Sequence, residues 1–167
     1  IKHMSILRGD FETRSTIDLP KTGVHVYAKH ITTDVWCFAY AFDDEPVKIW
    51  VKGEELPERI REHIESGGLF SAWNAAFELA IWNDIMSPRY GWPILEIAQC
   101  RCSMMAAGAM SLPLGLDKAA KCLGLPIAKD ETGYRLMLRM SKPRNKNPLT
   151  WWDEPVRLGK LYSYCKQ

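Results

Sequence analysis

Residues 35–42 (VWCFAYAF) place eight apolar or aromatic side chains in an unbroken row. A run this short, closed by the turn residues 43–46, predicts a buried strand. Residues 47–51 (VKIWV) alternate between apolar and polar, which predicts the second strand of an antiparallel hairpin. Strand signals fill the first half of the chain around this hairpin. Residues 5–12 (SILRGDFE) predict a first strand with acids at its end, followed by a loop rich in turn residues that includes Pro20 and Gly23. Leu56, Ile60 and Ile64 mark one helical face, and Gly67 and Gly68 stop that helix. Residues 69–73 (LFSAW) predict a short strand, with Asn74 where a helix cap is expected. The next helix carries Phe77, Ala80, Ile81 and Ile85; Pro88 and Pro93 bound a loop, and 94–100 predict a last short strand.

Helical patterns then take over, at 102–110, 116–123, 133–140 and 154–167. Strands followed by helices predict an α/β domain, a mixed sheet with helices packed on it. Residues 141–152 (SKPRNKNPLTWW) read as an exposed loop, and Met104, Met105 and Met110 as core. Residues 1–3 look like a tag remnant ahead of Met4, so a single domain is expected over 4–167.

The net charge of +2 neither marks nor excludes a nucleic-acid binder, because carboxylates that hold cations offset a basic rim. Five cysteines include no CxxC pair, which argues against a zinc knuckle or thioredoxin-like site and for reduced thiols in a cytosolic protein. No signal peptide or membrane-length apolar run is present. His25, His30 and His63 lack ligand spacing and read as surface or polar core residues.

Asp10 and Glu12 lie two residues apart at a strand end, so their side chains share one side while Phe11 turns into the core. Two carboxylates held together repel unless a cation lies between them, and hard oxygen ligands suit Mg²⁺ or Mn²⁺. About sixty residues on, Asn74-Ala75-Ala76-Phe77-Glu78 follows a strand and opens a helix. Tyr164 lies near the end of the last helix.

Asp-Phe-Glu-Thr at a strand end, Asn-x-x-Phe-acid at a helix start and a late Tyr-x-x-x-acid pattern together resemble the three motifs of the DnaQ-like (DEDDy) 3′→5′ exonuclease family. DFETRS, NAAFE, LGLPIAKDETGYRLM and SKPR are most similar to the proofreading domain of bacteriophage family A DNA polymerases. The resemblance spans nearly all of 4–167. It implies a ribonuclease H-like fold, two bound Mg²⁺ or Mn²⁺ ions and hydrolysis of the 3′-terminal phosphodiester of single-stranded DNA. It further implies a polymerase domain that follows in the intact protein and, for a phage, the cytoplasm of an infected bacterium, with no membrane role.

By that resemblance Asp10 bridges both metals and Glu12 binds one. Glu78 stands where the family has aspartate; its longer side chain reaches metal directly or through water. Tyr164 positions the attacking water. The expected acid falls at position 168, one residue beyond the end of the chain, and without it one metal loses a ligand and activity weakens. Tyr162, the competing tyrosine, would require an acid at Lys166. Thr13 and Asn74 are candidates for the sugar and terminal phosphate, and Phe77 for a wall near the last base; Asn74 as a plain helix cap and Phe77 as core remain open.

Lys142, Arg144 and Lys146 with Trp151 and Trp152 either guide a single strand or form a solvated loop. Arg14 and Lys129 either contact phosphate or form salt bridges. Two other functions are open: a stand-alone nuclease for RNA or short oligonucleotides, and a catalytically silent module that binds single strands.

Overall fold

The apolar run forms the second of five strands in one mixed sheet. The structure, a computed structural model, describes residues 5–126 and 130–166. The tag segment, Met4, Lys129 and Gln167 lie outside them. Strands β1 (Ile6–Arg14), β2 (Asp34–Phe42), β3 (Lys48–Val51), β4 (Leu69–Ala72) and β5 (Cys100–Cys102) lie in the order β3-β2-β1-β4-β5. β1, β2 and β3 pair antiparallel, whereas β4 runs parallel to β1 and β5 parallel to β4. This order and its change of direction at β1 define a ribonuclease H-like α/β fold, as expected.

The hairpin of β2 and β3 has Phe38 opposite Trp50. The β1–β2 register places Phe11 opposite Phe38, Asp10 opposite Ala39 and Glu12 opposite Cys37. Side chains at paired positions share a face, so Phe11 and Phe38 lie on one side and Glu12 and Cys37 on the other. The register slips after Glu12, where Trp36 is the extra residue of a bulge.

Helices cover both faces. On the Phe38 side lie α3 (Glu58–Glu65), which buries Ile60 and Ile64, and α4 (Ala75–Ile81). A π-helical turn, Trp82–Met86, continues α4 into α5 (Ser87–Tyr90). Phe38, Phe70, Trp82 and Trp92 cluster here, with Trp82 and Trp92 ring centroids 4.8 Å apart. On the opposite face α8 (Glu131–Met140) and α9 (Pro155–Cys165) close over Trp36 and Cys37 with Met140 and Leu161. Leu136, Met140, Leu158 and Leu161 recur at helical spacing and form that contact.

Several expectations are corrected. The loop after β1 is two short helices, α1 (Leu19–Thr22) and α2 (Val24–Lys29); Pro20 sits in the first turn of α1, where its missing N–H is no loss. Pro88 likewise lies in the first turn of α5 and bounds no loop. The last strand falls at Cys100–Cys102 rather than 94–100, which instead contains the buried Leu95 and a 3₁₀ turn, Ile97–Gln99. In α6 (Ser103–Ala109) the buried residue is Ala107, while Met105 and the following Met110 are exposed and not core. α7 (Leu116–Cys122) follows the pattern expected of it. The 141–152 segment folds into a small hairpin, β6 (Asn145–Lys146) and β7 (Leu149–Thr150), joined through a cis Asn147–Pro148 bond. Among the described residues no helix is long and apolar enough to cross a membrane.

Candidate active site

β1 pairs with β4 from Ile6 to Arg8 only, so beyond Arg8 its β4-side edge is free of strand pairing. A crevice opens there, at the carboxyl ends of the two parallel strands and where the sheet changes direction, the usual ligand position in open α/β sheets. α4 starts beside it, with Ala75, Glu78, Ala80 and Ile81 buried. This brings Glu78 against β1. Its side chain is 3% exposed, and its carboxyl accepts from the Phe11 amide and lies within hydrogen-bond reach of Asp10.

The structure thus brings Asp10, Glu12, Glu78 and Tyr164 together. Asp10 keeps one side open to solvent, yet protein crowds its other sides and raises its carboxyl above the usual range, with the bond to Glu78 acting against the rise. Burial, then the charge of Asp10, hold Glu12 well above its ordinary value. Burial and the same neighbouring charge push Glu78 up to about 9. Three carboxyls are therefore held where ionisation is costly without a countercharge.

Glu78 Oε2 is buried and has no hydrogen-bond partner. An orphaned carboxylate oxygen beside two further carboxylates is the donor chemistry of a hard divalent cation. Among the described residues no three His, Cys, Asp or Glu side chains are already gathered into a metal cage. The three carboxyls fit such cations by donor type.

Tyr164, on the last turn of α9, lies near Glu12 and Asp10; burial and then the Glu12 charge raise its phenol above the ordinary tyrosine value, so it stays protonated at neutral pH. Its ring rests on Gly133 of α8, where an added Cβ would come within 2.2 Å of Tyr164 Cδ2. Gly133 escaped notice in the sequence. The available signal was a glycine inside a helical pattern, unfavourable by about 1 kcal/mol relative to alanine unless close packing requires it. Tyr162 instead packs into the second core with Leu161 and Trp36.

A cleft of about 370 Å³ opens beside Glu12, lined also by Thr13, Tyr27, Phe77, Met137 and Lys142, among others, while Asp10 borders a separate hollow with Tyr40 and Cys165. Thr13 Oγ1 is bonded to the Tyr27 hydroxyl at 2.9 Å, a partner the sequence did not suggest. Phe77 is half-buried, its ring centroid 6.3 Å from that of Tyr27. Asn74 occupies the cap position of α4 but makes no side-chain capping bond and is exposed. Cys165 adds a thiol whose Sγ lies 3.9 Å from Glu12 Oε1 and 3.9 Å from Cys37 Sγ.

The basic, tryptophan-containing loop is not a free stacking platform. Trp151 and Trp36 sandwich the Arg14 guanidinium at 4.4 and 4.5 Å, and Arg14 pairs with Asp34 at 3.7 Å. Arg14 is thereby committed to structure rather than to phosphate. Trp152 is ringed by Arg139, Arg144 and Arg157 at 5.8, 5.3 and 4.9 Å. Arg144 is tied to Glu154 at 2.6 Å, while Lys142 remains exposed at the cleft.

No family model matches the chain. It is similar to a DNA polymerase of Bacillus phage SP02, 36% identical over 143 residues; the match takes in 84% of this chain, which spans 21% of that polymerase's length.

Proposed function

We propose that this domain is a metal-dependent 3′→5′ exonuclease that removes nucleotides from single-stranded DNA 3′ ends, the editing part of a phage DNA polymerase. One observation carries the reading: Asp10, Glu12 and Glu78 crowd at the crevice beside β1, with a neutral Tyr164 phenol against them. The similarity to part of a phage DNA polymerase supports DNA as substrate and a polymerase as the attached partner.

Asp10, Glu12 and Glu78 would hold two Mg²⁺ or Mn²⁺ ions, whose chemistry when bound is to offset phosphodiester charge and acidify a water. Asp10 and Glu12 project from one strand, so the sheet fixes their spacing. Glu78 is anchored by the Phe11 amide, and its Oε2 is buried without a hydrogen-bond partner. Tyr164 offers its hydroxyl hydrogen and a lone pair to orient the attacking water. Thr13 and Phe77 shape the cleft for the terminal nucleotide, and Lys142 supplies a positive charge at its rim.

The test is a chain continued past Gln167, given Mg²⁺ or Mn²⁺ and a 5′-labelled DNA single strand. Stepwise shortening from the 3′ end is expected, with Asp10→Ala abolishing it. Absence of shortening removes the enzyme reading and leaves a silent strand-binding module. Shortening that survives Asp10→Ala means the site is elsewhere. Faster cleavage of ribo than of deoxy substrates would favour an RNA or oligonucleotide nuclease.

A further inference from the structure

A second, basic feature lies along the outer side of α8 and α9. Arg135 and Arg139 are four residues apart on α8, and Arg157 and Lys160 three apart on α9, so each pair shares one helical face. All four line a groove of about 610 Å³ between the helices, whose acid is Glu154. Glu154 is already ion-paired with Arg157 at 3.2 Å and accepts a hydrogen bond from Arg144 at 2.6 Å. Arg135 and Lys160 are exposed and have no ion pair or hydrogen bond among the described residues. Trp152, below Arg139 and Arg157, holds those guanidiniums near its ring rather than leaving them to wander.

The groove runs on into a second hollow of about 420 Å³, which includes Lys160, Gly133, Ser163 and Tyr164, and one acid, Asp130, whose side chain caps α8 by accepting from the Thr132 and Gly133 amides. Thr132, Leu136, Val156 and Lys160 line both, so the two are continuous. On α9, Arg157, Lys160 and Tyr164 follow at spacings of three and four, a row about 10 Å long at 1.5 Å per residue. A free phosphate or small anion is held by donors that converge on one point. Here the cations are strung out along a line that leads to the candidate catalytic tyrosine, which suits an extended polyanion.

We propose that the groove between α8 and α9 carries the sugar–phosphate backbone of the single strand whose 3′ end lies at Tyr164. The direction of the strand rests on the nuclease reading; the charge match does not. Binding of fluorescein-labelled dT₁₂ to this chain, followed by anisotropy in EDTA across a NaCl series, tests it. Each lost phosphate contact on a single strand removes about 0.7 from the slope of log K against log salt. Arg135→Gln/Lys160→Gln should therefore flatten the slope by about 1.4 and weaken binding at low salt on the order of 10-fold. Lys160→Gln alone, should the double variant not fold, is expected to remove about 0.7. An unchanged slope in a folded variant overturns the proposal. If wild type binds dT₁₂ through the groove but the longer chain never shortens DNA, the nuclease reading fails and the groove stands. If DNA is shortened while the variants keep the wild-type slope, the groove fails and the nuclease reading stands.

Discussion

The two faces of the sheet are built from different material. On one, Phe38, Phe70, Trp82 and Trp92 interlock with Leu7, Ile81 and Met86 in a broad dry core. On the other, the buried cluster is Trp36, Cys37, Met140 and Leu161, and beside it stand Glu12 and Tyr164. A single strand separates them, because alternation along β1 sends Phe11 one way and Asp10 and Glu12 the other. The difference teaches where stability and chemistry reside. Apolar burial on the first face holds β1 still against the cost of crowded carboxyls that the second face imposes.

The largest effect should come from the dry face. Phe38→Ala is expected to lower stability by about 3–5 kcal/mol in urea unfolding; a loss below about 1 kcal/mol would mean the faces share the load. Next comes Asp10→Asn in a chain continued past Gln167. The rate of 3′ shortening should fall on the order of 10²–10³-fold, the scale of removing one transition-state contact, with the unfolding midpoint no lower than wild type. A variant that melts early would instead make Asp10 part of the scaffold.

Gly133→Ala tests the seam between Tyr164 and α8. The new Cβ would overlap the ring, so stability should drop by about 1–3 kcal/mol and the cleavage rate with it. An unchanged melting temperature would show that the ring has room to move. The smallest effect is a gain. Glu78 keeps its proton to about pH 9 when folded against an ordinary value of 4.5, so between those values the folded chain binds more protons than the unfolded one. Metal-free stability should therefore decline as pH rises from about 4.5 toward 9. Glu78→Gln should flatten that decline and raise the domain's stability at pH 8 in EDTA. A steeper decline would assign the titration to other groups.

Much of this was readable in advance where the signal is local. β1, the β2–β3 hairpin, α3 and α4 follow from periodicity, the pair Asp10 and Glu12 from its spacing, and Glu78 from the resemblance of residues 74–78 to a family motif. What escaped depends on tertiary contacts. Pro20 and Gly23 read as loop because turns and first helical turns favour the same residues. Residues 94–100 read as strand because apolar runs do not say what buries them; Leu95 enters the core, while Cys100–Cys102 pairs with β4. The fate of Trp151 was invisible, since its partner Arg14 is far away in sequence. Arg135, Arg139, Arg157 and Lys160 look like scattered surface charges until α8 and α9 lie side by side.

The tryptophans offer an optical consequence. Trp50 and Trp82 lie 5.2 and 4.8 Å from Trp92, close enough for their excited states to mix and to give strong near-ultraviolet circular dichroism from one face. Trp36, Trp151 and Trp152 each rest against an arginine on the other face and form no such pair among the described residues. Loss of the coupled dichroic bands would therefore report melting of the dry core. A change in emission that leaves those bands intact would report α8 and α9 lifting away, so one unlabelled sample can time the two events separately.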